Sequence, residues 1–341
     1  MGIADPSFDL PLNIMENMPT VSAVICTLNR PILVRRAVAS ICAQTYRDIE
    51  IVVVIDGPDA ATRESLATVD DPRLRVVENP TNVGISNARN IGIRAARGEW
   101  IAMLDDDDEW LPTKIEKQLA LASTLKREDV LILTLYYDRH GARETIQPRR
   151  FPRPGQPISE YLACEFPLFG SRESFLQTST WMARRAFMLD HPFTPDMRIN
   201  EDPDWLLHAI HDPINQLAFV REPLAVFHTA ESHTRLSVNR KMGWKEVRDW
   251  VVDGKDLFTP KARSYILVTH CLRACVESNC GIRVCFSLLG DCWRYGAITP
   301  GVLWFFFRTA FLFPAVKRWA PRALIATLAK WGRSSWAGTR G

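Results

Sequence analysis

Four consecutive aspartates, Asp105 to Asp108, follow the apolar run WIAML at Trp100 to Leu104. Unit charges ~4 Å apart repel by about 4 kcal/mol at an effective dielectric of 20, so such a run invites a cation. Carboxylate oxygens suit hard ions such as Mg2+ or Mn2+, and Mg2+ completes its shell with substrate phosphates and water. If the segment is extended, its side chains alternate, with Asp105 and Asp107 on one side and Asp106 and Asp108 on the other. One pair can then serve a metal. The plainer reading is a solvated acidic turn before a helix starting near Trp110-Leu111-Pro112. Further on, Glu201-Asp202 precede Pro203 and Trp205-Leu206-Leu207. A carboxylate there can take the proton of an attacking hydroxyl, an effect worth ~100–10,000-fold, or it can cap a helix that begins at Pro203.

The elements that must position these groups are legible in the spacing. Residues 20–28 (TVSAVICTL) read as a buried strand stopped by Asn29-Arg30-Pro31. Leu33, Ala37, Ile41 and Cys42 recur at helical spacing, and Ile49 to Ile55 form a second apolar strand ending at Asp56-Gly57-Pro58. A third unit has Leu74 to Val77 as strand, Asn82 to Ala96 as loop and helix, and Trp100 to Leu104 as the next strand. Continuous apolar strands alternating with helices predict an α/β fold with a mostly parallel central sheet covered on both faces. Ligands of such sheets bind beyond the carboxyl ends of the strands, where Thr27 to Arg30, Asp56 and Asp105 to Asp108 fall.

With these residues in place, VSAVICTLNRP, NVGISNARNIGIRAARGEWIAMLDDDDEWLP and EDPDWLL resemble, in order and spacing, the successive motifs of family 2 glycosyltransferases, from about Val21 to about Asn239. The resemblance implies a GT-A fold, a nucleotide-diphospho-sugar donor with UDP favoured, and inversion at the anomeric carbon. It places Thr27, Asn29 and Arg30 along the nucleotide pocket and Asp56 toward the base. Gly84, Arg89 and Asn90 match the segment over the donor, where glycine permits close backbone approach and Arg89 can offset phosphate charge. Asp105 and Asp107 align with the Asp-any-Asp motif, the first near the ribose and the third holding Mg2+ or Mn2+ with the diphosphate. The surplus of aspartates leaves the register open by one, so Asp106 belongs to the donor set as well. Asp202 takes the general-base position, with Glu201 and Asp204 as neighbouring rivals. His208 stands where the family more often has Arg. His228 and His233 lie where some members present a late metal or phosphate contact, and Gln177, Thr178 and Ser179 resemble the acceptor-side segment. Each also has an ordinary reading: Asn29 as a helix cap, Asp56-Gly57 as a turn, Arg89 as a surface residue.

Bulk properties bound the organisation. The 341 residues are 47% apolar and carry a net charge of +3, but residues 261–341 hold 12 Lys/Arg against 2 Asp/Glu. The expected division is a leader over 1–18, a GT-A domain over 19–258 and a basic, aromatic, helical region over 259–341. Residues 301–316 (GVLWFFFRTAFLFPAV) are too short to span a bilayer, and Arg308 and Pro314 interrupt them. Residues 301–336 therefore suit either helices resting on an anionic membrane or a subdomain packed on the body. No nucleic-acid motif accompanies the charge. Eight cysteines without a CxxC pair argue against a secreted disulfide framework, and the spacing of Cys271, Cys275, Cys280, Cys285 and Cys292 fits no usual zinc pattern. Pro6 stands where an N-myristoylation signal needs Ser or Thr.

The expected function is transfer of a sugar to a hydroxyl of a saccharide or lipid-linked glycan, on the cytoplasmic side or the cytoplasmic face of a membrane. Two other readings compete. A sugar-nucleotide nucleotidyltransferase would need a glycine-rich loop after the first strand, and Thr27-Leu28-Asn29-Arg30-Pro31 has no glycine. A non-catalytic scaffold of the same fold has no need of an intact acidic run together with Asp202.

Overall fold

In the computed structural model, residues 20–141, 143–164, 173–228, 243–254 and 256–312 are described. Three expected strands pair in parallel: β1 (Val21–Thr27), β2 (Ile49–Ile55) and β4 (Trp100–Asp105), with β3 (Leu74–Glu78) beyond β2. Their register sets Thr27 beside Ile55 and Cys26 beside Asp105, so the polar residues that follow each strand emerge along one edge. Helices α1 (Pro31–Cys42), α2 (Ala60–Ala67) and α3 (Ile85–Ala95) form the crossovers.

The second half of the sheet is mixed. The full order is β3-β2-β1-β4-β8-β6-β9-β5, with β7 on β6. Here β5 is Glu109–Trp110, β6 is Leu131–His140, β7 is Arg143–Gln147, β8 is Met182–Arg184 and β9 is Leu217–His228. The three-residue strand β8 runs antiparallel to both β4 and β6, which ends the parallel run expected from the apolar pattern. Glu109 and Trp110, expected near a helix start, pair instead with Val226 and Ala225. The next helix, α4 (Lys114–Ala122), begins only after that strand.

Two cores line the faces of the sheet, as strand alternation requires. Ala23, Ile25, Ile51, Val53 and Ile55 pack under Val34, Ala37, Val38 and Ile41 of α1. On the other face Val24 and Val52 meet Ile93 of α3, and the same core continues through Trp181 and Trp205. That second core takes in α5 (Ile158–Cys164), α6 (Arg185–Asp190) and α7 (Glu201–Ala209), and the short α8 (Pro213–Gln216) leads into β9.

The C-terminal helices extend this second core. They are α9 (Trp244–Asp253), α10 (Pro260–Ile266), α11 (Leu272–Glu277), α12 (Ile282–Tyr295) and α13 (Pro300–Phe307), with π-helical turns at Leu267–Cys271 and Arg308–Leu312. Cys271, Cys275, Cys285 and Cys292 are buried core residues there. Arg248 on α9 clamps Asp291 on α12 through Nε at 2.6 Å and Nη2 at 3.0 Å, joining helices on either side of residue 258. Among the described residues no helix is long and apolar enough to cross a membrane. Of the segment 301–336, residues 313–336 lie outside the described residues, as do the leader 1–18 and His233.

Candidate active site

Strand β4 ends at Asp105, and the chain turns at once: the Asp108 amide donates to the Asp105 carbonyl at 3.1 Å. The aspartates are therefore not an extended segment, and the expected alternation of their side chains does not occur. Instead Asp105 and Asp108 share one partner, since Gln177 Nε2 donates to Asp105 Oδ2 at 3.1 Å and to Asp108 Oδ2 at 2.5 Å. Asp106 and Asp107 share another, since Arg30 Nη1 lies 2.8 Å from Asp106 and 3.6 Å from Asp107. Thr27 Oγ1 donates to Asp106 at 2.7 Å, and Ser179 Oγ donates to Asp108 at 2.8 Å while accepting from the Asp105 amide at 3.0 Å. Much of the repulsion in the acidic run is thus offset by protein donors. Burial, with Asp107 adding to it against the pull of Arg30, pushes the Asp106 carboxyl up to about 6.

The positions after β1 and β2 serve this cluster and the loop beside it. Asn29 has φ +57°, a left-handed conformation that Asn tolerates, and its amide donates to Asp59 Oδ2 at 2.6 Å. Its side chain does not cap α1, whose cap position is Arg30. Asp56 Oδ1 accepts from Asn79 Nδ2 at 3.0 Å and the Val83 amide at 2.9 Å, and Oδ2 accepts from the Gly84 amide at 2.9 Å. This carboxylate fixes the loop entering α3. Gly84 has φ +85°, but a Cβ at this position would meet nothing within 4 Å, so backbone conformation rather than space demands glycine there.

Arg89, on the buried face of α3, is 4% exposed and joins two distant motifs. Its Nη2 donates to Asp105 Oδ1 at 3.0 Å; its Nη1 donates to Asp202 Oδ1 and lies 3.3 Å from Glu201 Oε1. The guanidinium stacks 5.2 Å from the Phe193 ring centroid. Although burial opposes its charge, Asp202, Asp105 and Glu201 hold it firmly protonated. Burial raises Glu201 to about 7, with Asp202 adding to the rise and Arg89 opposing it, and burial likewise raises Asp202.

Helix α7 starts at Glu201, not Pro203, because Asn200 takes the cap position with φ +61°. Asp202 is therefore inside the first turn with its carboxylate on Arg89. Asp204 faces elsewhere, accepting from Thr194 Oγ1 at 2.5 Å and Trp250 Nε1 at 2.7 Å, which ties α7 to α9.

Hard-oxygen donors are abundant, yet among the described residues no three His, Cys, Asp or Glu side chains converge as a metal site. Asp105 is held by Arg89 and Gln177 while Asp107 meets Arg30. His228 Nε2 lies 2.7 Å from Glu109 Oε1, and its amide donates to Asp108 Oδ1 at 3.4 Å. The donor set fits a dication only if phosphate oxygens and water complete its shell.

Several members of this site gave no local signal. Arg36 donates to the Asp107 carbonyl at 2.7 Å, and Trp110 Nε1 to the Ser179 carbonyl at 2.7 Å. Gln177 and Ser179, which the resemblance sets on the acceptor side, bond to the acidic turn through contacts some 70 residues away in sequence, a pairing that spacing does not reveal.

Residues 22–188 match the family profile described as Glycosyl transferase family 2. That segment belongs to the family. The chain is 29% identical over 201 residues to the putative colanic acid biosynthesis glycosyl transferase WcaA of Escherichia coli K12, covering 58% of this chain and 68% of that protein. It is 34% identical over 109 residues to the Escherichia coli protein named UDP-Glc:alpha-D-GlcNAc-diphosphoundecaprenol beta-1,3-glucosyltransferase WfaP, covering 32% of this chain and 43% of WfaP. Against three further glycosyltransferase or polysaccharide-synthesis relatives the match spans 32%, 44% and 31% of their length. Among solved structures, the mannosyltransferase PcManGT of Pyrobaculum calidifontis, in complex with GDP-Man and Mn2+, aligns over 92% of this chain and 85% of its own, with TM-score 0.52 and 16% identity. The glycosyltransferase fold is accordingly α/β of the GT-A type with a mixed sheet and a helical C-terminal region.

Proposed function

We propose that this family 2 glycosyltransferase moves a sugar from a nucleotide-diphospho-sugar, UDP-sugars favoured, to a hydroxyl of a saccharide or lipid-linked glycan, with inversion, in surface polysaccharide or glycoconjugate synthesis. The observation that carries the reading is the single Arg89 guanidinium holding Asp105, from the acidic run, and Asp202, from the downstream motif, at one edge of the sheet. The names of WcaA and WfaP, with their reference to polysaccharide synthesis and a diphosphoundecaprenol-linked acceptor, support the acceptor class.

In this reading Thr27, Asn29, Arg30, Asp56 and Gly84 line the donor side. Thr27 and Arg30 hold Asp106, and Asp56 holds the Val83–Gly84 amides, so each acts by shaping the pocket wall. Arg89 acts on the donor through Asp105. Asp107 with Asp105, and His228 as a later contact, would hold Mg2+ or Mn2+, which when bound neutralises charge on the departing nucleoside diphosphate. Asp202 takes the proton of the acceptor hydroxyl as its oxygen attacks the anomeric carbon opposite the leaving group, and no covalent enzyme intermediate forms. The enzyme works on the cytoplasmic side, in contact with the membrane that carries its acceptor.

The test is release of nucleoside diphosphate from a panel of UDP- and GDP-sugars with Mn2+ present. Asp202→Asn is expected to lose ~100–10,000-fold in turnover while keeping the thermal shift produced by the donor. Turnover equal to wild type removes Asp202 from the base role. Absence of turnover with every donor and acceptor tried removes the transferase reading.

A further inference from the structure

The outer surfaces of α12 and α13 are apolar where a soluble surface is ordinarily polar. Ile282 is 49% exposed, Phe286 52%, Trp293 80%, Leu303 47%, Phe307 49% and Phe311 40%. At 100° per residue, Ile282, Phe286 and Trp293 lie within about 40° of one another on α12. Leu303, Phe307 and Phe311 follow at four-residue steps along α13 and its π-helical extension. The two stripes meet: the Phe286 ring lies 6.4 Å from Phe311 and 5.6 Å from Phe306, and Phe307 lies 5.6 Å from Phe311. This makes one patch of large side chains, which a monomeric surface rarely presents without a partner.

Charge identifies the partner. On α12 the exposed Arg283 and Arg294 flank the apolar stripe, and the one acidic residue of that helix, Asp291, is buried against Arg248. Residues 313–341, which follow the patch directly, contain six Lys/Arg and no Asp/Glu. A second copy of the chain would bring the same arginines onto themselves. An anionic lipid surface accepts both features, with indole and phenyl rings at headgroup depth and guanidinium groups on phosphates.

We infer that the α12–α13 face docks on the surface of an anionic bilayer, with Phe286, Trp293, Phe307 and Phe311 inserted and Arg283 and Arg294 on lipid headgroups. This rests on the membrane-borne, lipid-linked acceptor proposed above and names the surface that meets it. The face is rigidly tied to the base-carrying helix, because Arg248 joins α12 to α9 and Trp250 of α9 donates to Asp204 of α7. Docking therefore also fixes how the reaction site is oriented to the lipid.

The test is co-sedimentation of the full chain with sucrose-loaded vesicles of phosphatidylcholine alone or with phosphatidylglycerol added. Binding is expected with phosphatidylglycerol, and about fivefold less partitioning for each arginine removed, so that Arg283→Gln/Arg294→Gln loses roughly 25-fold. Phe286→Ser and Phe307→Ser are each expected to lose about tenfold or more. These positions are exposed, and unchanged melting temperatures in the variants show that the fold is intact. Three results overturn the inference: equal binding to phosphatidylcholine alone, wild-type binding by the Phe variants, or a dimer in sedimentation velocity that these substitutions disperse in a chain that binds no vesicle. Donor turnover measured without vesicles separates the two proposals. An active chain that does not sediment with vesicles sinks only the docking face, and a sedimenting chain without turnover sinks only the transferase.

Discussion

The Arg89 guanidinium donates to the Asp202 carboxylate across 113 residues of sequence, and its other nitrogen holds Asp105. One buried cation thus serves the end of strand β4 and the first turn of α7 together. Burial raises Asp202, and the Asp105 charge raises it further; the Arg89 charge opposes both.

Replacing Arg89 by Met leaves Asp105, Glu201 and Asp202 without their common counter-charge. Removing one partner of a buried ion pair typically costs 3–5 kcal/mol, so Arg89→Met is expected to lose about that much in urea unfolding. Arg89→Lys restores the charge but not the fork that reaches both sides, and is expected to recover stability better than turnover. A loss below about 1 kcal/mol in Arg89→Met would mean that the clamp carries no more than a surface pair does.

Stability should also respond to pH through Glu201. Its carboxyl is raised from the ordinary 4.5 to about 7, chiefly by burial, so the folded protein binds that proton more tightly than the unfolded chain. The contribution is fully present below pH 4.5 and is lost as pH rises through about 7. Wild type should therefore lose about 3 kcal/mol relative to Glu201→Gln across that window, at 1.36 kcal/mol per pKa unit. Parallel unfolding curves for the two proteins would show that Glu201 keeps its ordinary affinity for protons.

What the sequence makes legible follows the range of the interactions involved. The four parallel strands and helices α1 and α3 are written in local periodicity, and the observed bounds of the strands and of α1 lie within a residue or two of the expected ones, whereas α2 (Ala60–Ala67) falls where no helix was expected. The acidic run and Glu201-Asp202 stand out because like charges are adjacent in the chain. The turn after Asp105 is not legible, since a backbone hydrogen bond from Asp108 to Asp105 overrides strand alternation and pairs 105 with 108. Strand β8 and the Gln177–Ser179 contacts are equally hidden, because three residues carry no periodicity and their partners lie far away in sequence. The start of α7 depends on a left-handed Asn200, which outweighs the Asp-Pro signal two residues later.

Two helical glycines separate packing from propensity. A Cβ on Gly92 of α3 would lie 2.5 Å from Val24 Cγ1 and 3.2 Å from Val54 Cγ2, inside the core beneath the sheet. Gly92→Ala must displace the helix or both valines and is expected to cost about 1–3 kcal/mol. Gly290 of α12 has nothing within 4 Å of the same position, so Gly290→Ala should stabilise by roughly 0.5–1 kcal/mol through the unfolded chain. Chemical denaturation of both variants checks the pair, and equal effects at the two sites would mean that α3 is packed less closely against β1 and β2 than these distances require.

The last prediction separates a metal ligand from a structural carboxylate within one four-residue run. Asp108 is fully buried and bound by Gln177, Ser179 and the His228 amide, so Asp108→Ala should lower stability whether or not a metal is added. Asp107 meets Arg30 at 3.6 Å, a longer approach than the 2.8 Å at which Arg30 holds Asp106. If Asp107 with the diphosphate holds the ion, UDP with Mn2+ should stabilise wild type beyond UDP alone, and Asp107→Ala should keep the UDP part and lose the Mn2+ part. At a ligand concentration a hundredfold above Kd the linked stabilisation is about 2.7 kcal/mol, well within reach of thermal-shift measurement. An unchanged Mn2+ increment in Asp107→Ala, together with its loss in Asp105→Ala, would move the ligand to the carboxylate that Arg89 and Gln177 hold. Arg89 would then have to release Asp105 on donor binding, and Arg89→Lys should tighten the Mn2+ response instead of weakening it.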